Sequence, residues 1–208
     1  MKKILVLVAA MLLVAGLAFG ATVVGSKHDI TLLDDGAITE VCVFCHTPHQ
    51  SASANKQDPL WNRSLSSETS FGVYTSDTMN ATPTAFGGGT LGSANTSQLC
   101  MSCHDGTLAV NALFNGPGSQ TAGTATSATG NANLGSDLSD DHPVNFVYDA
   151  ALVTSDGGLN NPTALTGVRL FATRVQCASC HNVHDNQYGP FLRTTNAGSA
   201  MCVKCHVK

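Results

Sequence analysis

The cysteines and histidines of this sequence form four copies of C-x-x-C-H, two cysteines followed directly by a histidine. This pattern is the attachment signature of c-type haem, in which both thiols bond covalently to the porphyrin edge and the histidine becomes the proximal ligand of the iron. The copies use all 8 cysteines and predict four covalently bound haem c groups. Numbered along the chain, motifs 1 to 4 are Cys42, Cys45 and His46; Cys100, Cys103 and His104; Cys177, Cys180 and His181; and Cys202, Cys205 and His206.

Zinc sites and disulfide bonds are the two competing interpretations of paired cysteines. A zinc site places no requirement on the residue that follows each pair. Disulfide bonds suit an exported chain, but they also leave that residue unexplained. Here it is histidine in all four motifs, although the chain has only 8 histidines among 208 residues. The repeated histidine therefore favours haem over both alternatives.

Four further histidines remain, which is one distal ligand for each predicted iron. Methionine is a poor alternative, because Met1 and Met11 lie in the N-terminal apolar segment and Met101 and Met201 lie within or beside a motif. The count predicts bis-histidine irons with no open position for a substrate, so we expect electron transfer at negative potentials and no enzymatic activity. The candidate distal ligands are His28, His49, His142 and His184.

Two of the candidate distal ligands lie very close to a motif. His49 and His184 each follow a proximal histidine by three residues. A histidine so near cannot easily reach the opposite face of its own haem, so each is expected to ligate a neighbouring haem. The spacing therefore predicts close haem pairs, one of them involving haems 3 and 4. It does not pair any distal histidine with its iron.

The elements that position these residues are expected to be short. Only 12% of the residues are charged, and glycine, serine, threonine and asparagine fill the linkers. We expect a mostly coil fold with short α-helices at the motifs and few or no strands: a small multihaem cytochrome c around closely packed haems, which supply most of the apolar interior. Residues 107–114 predict a further short helix, and the apolar run after His142 predicts a short strand.

The N-terminus has the pattern of a secretory signal peptide. Lys2 and Lys3 precede an apolar run that ends in small residues, with Ala18 and Gly20 at a suitable cleavage site. The run is short for a membrane span. We therefore expect residues 1–20 to be a signal peptide, and residues 21–208 to form a single tetrahaem domain without a membrane span.

The net charge of the chain indicates which classes of partner it can bind. Lysine and arginine total 10 against 14 aspartates and glutamates, a formal net charge of −4 that becomes −6 once Lys2 and Lys3 leave with the signal. Without a basic patch to neutralise phosphates, a nucleic-acid partner is not expected. The export signal predicts an extracellular or cell-surface location, with the periplasm as the alternative.

A family resemblance rests on the haem motifs with their flanking residues, CVFCHTPH, CMSCHDG, CASCHNVHD and CVKCH, and on three further segments, KHDI, PLWNR and DHPVNF. The chain resembles the small exported multihaem cytochromes of metal-respiring microbes. More narrowly, it resembles the OmcE type of tetrahaem cytochrome, which polymerises into extracellular nanowires. The resemblance implies a head-to-tail homopolymer for long-range extracellular electron transport, with redox proteins or minerals as electron donor and acceptor.

In that family one haem receives an axial histidine from the neighbouring subunit. If this property carries over, His28 is the candidate, because it lies on an N-terminal arm far in sequence from any motif. A soluble periplasmic tetrahaem electron shuttle is the alternative function, and a multihaem reductase is a third. Counting histidines does not separate ligation within one chain from ligation around a polymer.

Overall fold

The structure is a computed structural model that describes residues 22–36, 38–49, 51, 60–88, 95–117 and 127–207. The predicted signal peptide lies outside the described residues. Most of the described chain is coil, with four short α-helices, which confirms the predicted fold class. The helices are α1 (Ser97–His104), α2 (Ala150–Asp156), α3 (Cys177–Cys180) and α4 (Cys202–Cys205).

Short 3-10 helices and four two-residue strands complete the secondary structure of the described residues. The 3-10 helices are Ile30–Leu32, Val41–Phe44, Gly130–Ala132, Pro162–Ala164 and Ala197–Ser199. The strands are β1 (Gly72–Val73), β2 (Asp137–Leu138), β3 (Phe146–Val147) and β4 (Arg174–Val175). None of the described helices is long and apolar enough to cross a membrane.

Each C-x-x-C-H motif coincides with a short helix, as predicted. Motif 1 lies on the 3-10 helix Val41–Phe44, motif 2 on α1, motif 3 on α3 and motif 4 on α4. Residues three apart on a helix share a face, so each helix presents its two cysteines together. In motifs 1 and 2 the residues between the cysteines anchor the helix, since Phe44 and Met101 are completely buried.

The apolar side chains form three small clusters, each next to a haem motif. Phe44 of motif 1 belongs to the first, Met101 of motif 2 to the second, and Cys205 of motif 4 packs against the third. The buried members are Ile30, Ile38, Phe44 and Val110; Phe71, Phe86, Met101 and Leu138; and Phe146, Tyr148, Leu152 and Val175. The clusters thus hold the motif helices in place.

The strand predicted after His142 is present as β3. It pairs antiparallel with β4, with Phe146 opposite Val175, and β4 leads directly into motif 3. The other pair joins β1 and β2 in parallel, with Gly72 opposite Asp137. The two short ladders connect segments that are distant in sequence.

The helix predicted over residues 107–114 is not formed. The carboxylate of Asp105 accepts hydrogen bonds from the backbone N–H (2.9 Å) and hydroxyl (2.8 Å) of Thr107. Such a side-chain bond competes with helix continuation. Gly106 then adopts a left-handed conformation, with φ of 74°, which glycine tolerates and other residues disfavour. The chain therefore leaves α1 in a turn, and residues beyond it form isolated bridges.

Candidate functional site

The cysteine thiols of successive motifs are neighbours. Burial and the nearby Cys103 of motif 2 raise the pKa of the Cys45 thiol of motif 1 to about 11. The thiol of Cys100 donates a hydrogen bond to Cys177 of motif 3, which raises the pKa of Cys100 and lowers that of Cys177 to about 7. All of these cysteines are free thiols. Motif 2 therefore contacts motif 3 and lies close to motif 1.

Motifs 3 and 4 are also neighbours. Burial raises the pKa of Cys180 to about 11, and Cys205 of motif 4 is the nearby group that adds most to this effect. The hydroxyl of Tyr148 donates to the backbone carbonyls of Asn160 (2.8 Å) and Cys205 (3.3 Å), which ties motif 4 to the third apolar cluster. The four attachment sites consequently adjoin one another in the order 1, 2, 3, 4.

A buried hydrogen-bond network fixes the contact between α1 and α3. The side-chain oxygen of Gln176 accepts from the backbone N–H of Ser97 (3.2 Å) and from its hydroxyl. The Gln176 amide donates to the side chain of Asn145 (3.0 Å), and the Ser97 hydroxyl in turn accepts from the backbone N–H of Cys177 (3.0 Å). All three polar side chains are buried. The network sets Cys100 beside Cys177, and nothing in the sequence pattern indicated it.

Arg63 is a second buried group that the sequence did not single out. Its guanidinium donates to the backbone carbonyls of Val110 and Ala109 (2.8 Å), just beyond motif 2. The side chain is 1% exposed. Burial raises the pKa of Cys45 and of Cys103, and the positive charge of Arg63 partly offsets both shifts. A cation thus lies close to the first two attachment sites. The signal in the sequence was that Arg63 is the first of four arginines in a chain of low charge.

The ring orientation of two proximal histidines is fixed by the backbone. Nδ1 of His104 lies 2.7 Å from the carbonyl oxygen of Ala132, and Nδ1 of His181 lies 3.0 Å from that of Pro190. In the tautomer that carries hydrogen on Nδ1, the ring donates to the carbonyl and Nε2 stays available for a metal. His142 makes the same type of contact with Pro143 O, at 3.0 Å.

Two proximal histidines face a predicted distal histidine. The ring centroids of His46 and His184 are 6.1 Å apart, with an interplanar angle of 13°. Those of His28 and His104 are 6.0 Å apart, with an angle of 53°. Trp61 packs edge-on against His46, at 6.1 Å between centroids. The structure therefore brings four of the eight histidines together as two pairs.

A ligand for a neighbouring subunit would have to reach away from its own chain, whereas the N-terminal segment that carries His28 folds against its own chain. The His28 ring packs edge-on against Phe191 at 4.4 Å and faces His104 of the same chain. Burial, together with the neighbouring His104, lowers the pKa of His28 to about 4, so the imidazole is neutral near pH 7. The physical reason for the difference is a folded turn, in which the Asp29 carboxylate accepts the backbone N–H of Gly25 at 2.8 Å.

The remaining four histidines, His49, His142, His181 and His206, are all exposed, as is the paired His184. Within the described ranges, no second histidine ring is paired with His49 or His142, nor with the proximal ligands of motifs 3 and 4. The backbone of His206 bridges Leu159. Among the described residues, therefore, two of the four predicted distal ligands, His49 and His142, have no histidine ring opposite them.

The residues present fit haem. Two metal–nitrogen bonds of about 2.0 Å, plus roughly 1.1 Å from each nitrogen to its ring centre, put trans imidazole centroids about 6.2 Å apart. The observed separations of 6.0 and 6.1 Å agree with that value. In the described part of the chain, no three or more His, Cys, Asp or Glu side chains cluster as a metal site by themselves.

Comparison with known protein families gives one match. The family described as a doubled CXXCH motif matches residues 170–208, which include motifs 3 and 4. The match indicates a c-type cytochrome. Paired motifs of this kind imply covalently bound haem c and an electron-transfer role. No curated protein matches the chain.

Proposed function

We propose that this chain is an exported tetrahaem cytochrome of the OmcE type, which relays electrons through four bis-histidine haems. The observation that carries the proposal is the contact order of the attachment sites. Cys45 lies near Cys103, the Cys100 thiol donates a hydrogen bond to Cys177, and Cys180 lies near Cys205. Sites that adjoin in series support electron transfer from one cofactor to the next, because transfer slows steeply with distance.

In this function the protein holds and orients the cofactors. Haem, when bound, supplies the one-electron chemistry of its iron. The motif helices present paired thiols for covalent attachment. Backbone carbonyls at Ala132 and Pro190 orient the imidazole rings of His104 and His181, as hydrogen-bond acceptors behind ligating histidines do at other metal sites.

Haem content is the first test. The full chain is produced in a bacterial host with c-type cytochrome maturation, and the intact mass of the mature protein is measured. We expect the mass of the chain after removal of residues 1–20 plus four haems. Replacing both cysteines of one motif with alanine should remove one haem. A mass with fewer haems in the unmodified chain would contradict the tetrahaem assignment.

We further propose that the protein is an electron carrier and not an enzyme. The support is the histidine count, which provides two ligands for every iron and leaves none open. Carbon monoxide should therefore bind the reduced protein slowly or not at all. Rapid binding, or a high-spin ferric signal from the unmodified protein, would favour a multihaem reductase instead.

We propose that the carrier assembles head-to-tail into an extracellular filament. A heterologous contact that does not close produces an open polymer, and it requires two different surfaces. Exposed apolar side chains occur on separate segments, Val24, Leu32 and Leu33 near the N-terminus and Val203 and Val207 at motif 4, and these support such a contact. Electron microscopy of secreted material should show filaments. Monomers under all conditions would instead support a soluble periplasmic shuttle.

A further inference from the structure

We propose that two of the irons are ligated entirely within one chain, the iron of haem 1 by His46 and His184 and the iron of haem 2 by His104 and His28. The assignment rests on the proposed haem binding and goes beyond it, because it pairs proximal with distal ligands. It also places the N-terminal histidine inside its own molecule instead of in a neighbouring subunit.

The first pair joins motif 1 to the doubled motif. His184 belongs to the segment between motifs 3 and 4, yet its ring lies 6.1 Å from that of His46 and nearly parallel to it. This agrees with the expectation that a histidine three residues past His181 serves another haem. That haem is haem 1, so haems 1 and 3 are linked through the short segment from His181 to His184.

The second pair joins the N-terminal segment to motif 2. The contact of His104 Nδ1 with Ala132 O leaves Nε2 of His104 available. His28 is held opposite by Phe191 and by a folded turn, in which the Ser26 hydroxyl donates to Val23 O (2.6 Å) and accepts the His28 backbone N–H (3.2 Å). Nδ1 of His28 is buried without a hydrogen-bond partner. The His28 ring therefore lies at a centroid separation of 6.0 Å from His104, and its Nδ1 makes no hydrogen bond.

Two distal ligands are then left for haems 3 and 4, namely His49 and His142. Both are exposed. If one iron is completed by a neighbouring subunit, the donor is His49 or His142, because His28 and His184 are already used.

Substitution of His28 in the monomeric holoprotein tests the second pair. His28→Ala should convert one haem of the four from low-spin to high-spin, seen by electron paramagnetic resonance and magnetic circular dichroism. Lys27→Ala changes an exposed neighbour in the same turn and should leave the spectrum of the monomer unchanged. If His28→Ala keeps the spectrum of the unmodified monomer, the His28–His104 pair is wrong.

A methionine variant distinguishes loss of a ligand from loss of the fold. His28→Met should keep that haem six-coordinate and raise its reduction potential, since methionine ligation raises the potential relative to histidine. The same iron should show the absorption band of methionine ligation. Unchanged potentials and no such band, with every haem spectrum as in the unmodified protein, would overturn the assignment.

The first pair has its own spectroscopic signature. Nearly parallel imidazole planes give a rhombic low-spin signal, so His184→Ala should remove a rhombic component and create one high-spin haem. Val183→Ala is the matched control at an exposed neighbour. Fewer than four haems by mass in the unmodified protein would refute the proposed function itself. Four haems, with a rhombic signal that His184→Ala leaves unchanged, would refute only the pairing.

Discussion

At the scale of single residues, the least expected group is the buried cation close to the first two haem sites. Arg63→Gln removes a charge whose influence reaches both Cys45 and Cys103. A positive charge favours the reduced iron, so the variant should lower the potentials of haems 1 and 2. The variant also loses the hydrogen bonds from the Arg63 guanidinium to backbone carbonyls, which should reduce the free energy of unfolding by about 2–3 kcal/mol.

Redox titration and denaturant unfolding measure these two effects. Arg169→Gln is the matched control, because Arg169 is exposed and lies over the ring of Phe171. It should leave haems 1 and 2 unchanged. Equal potential shifts in the two variants would mean that Arg63 acts only through net charge.

The residues of the site differ in how far the sequence could predict them. The cysteines and proximal histidines follow from a local motif, because thioether attachment requires both thiols beside one ligand. The pairing of His28 with His104 depends on a tertiary contact between distant segments, and spacing carries no information on it. The role of Arg63 also depends on a tertiary contact, because the backbone carbonyls that accept its hydrogen bonds belong to Ala109 and Val110, beyond motif 2.

At the scale of elements, the α1–α3 contact depends on one buried amide. Gln176→Leu keeps the approximate volume but leaves the Ser97 N–H and the Asn145 side-chain oxygen without this partner. We expect a loss of about 2–4 kcal/mol in unfolding free energy, measured with denaturant. Gln187→Leu, at an exposed position, should change it by less than about 0.5 kcal/mol. Similar losses in both variants would rule out a special role for the network.

The turn after α1 offers a second matched comparison. Gly106 and Gly130 both have positive φ. A Cβ at residue 106 would collide with the side chain of Asn133, whereas a Cβ at residue 130 would have no neighbouring atom within 4 Å. Gly130→Ala should cost about 1 kcal/mol from backbone strain. Gly106→Ala should lower the free energy of unfolding by more than Gly130→Ala does, because it also displaces the segment whose Ala132 carbonyl orients His104. Equal melting temperatures would show that the contact is readily relieved.

The elements were predictable where the chemistry is local. The motif helices follow from cysteines three residues apart, and the apolar run after His142 gave β3. The prediction of a helix over residues 107–114 was wrong. The Asp105 carboxylate accepts a hydrogen bond from the backbone N–H of Thr107, and Gly106 adopts a left-handed conformation, so the chain turns there despite its apolar spacing. The parallel pairing of β1 with β2 could not be foreseen, since two-residue strands carry no periodic pattern.

At the scale of the whole molecule, stability should depend on the cofactor. The described apolar residues form three separate clusters of four buried side chains each. Clusters of this size bury too little surface to fold a chain of this length alone. A haem-free form with the motif cysteines replaced by alanine should be largely unfolded by circular dichroism. A cooperative thermal transition in that form would contradict this expectation.

The pairing of ligands also makes a prediction for assembled filaments. If an iron is completed across the interface, either His49→Ala or His142→Ala should produce a high-spin haem in filaments while leaving the spectrum of dissociated monomers unchanged. His28→Ala should instead change both forms. Resonance Raman spectra of filaments and monomers report the spin state of each. If His28→Ala filaments gained a high-spin haem while its monomers kept the spectrum of unmodified monomers, His28 would lie at the interface.

The proposed ligation of haem 1 by His46 and His184 implies an order of biosynthesis. In an exported chain, motif 1 would emerge early, whereas His184 would follow only near the C-terminus. A chain truncated before residue 184 therefore keeps its first iron reactive toward small molecules such as oxygen, and only the finished polypeptide closes it. Haem 1 would therefore gain its second ligand only in chains that extend at least to His184, which would distinguish complete chains from truncated ones.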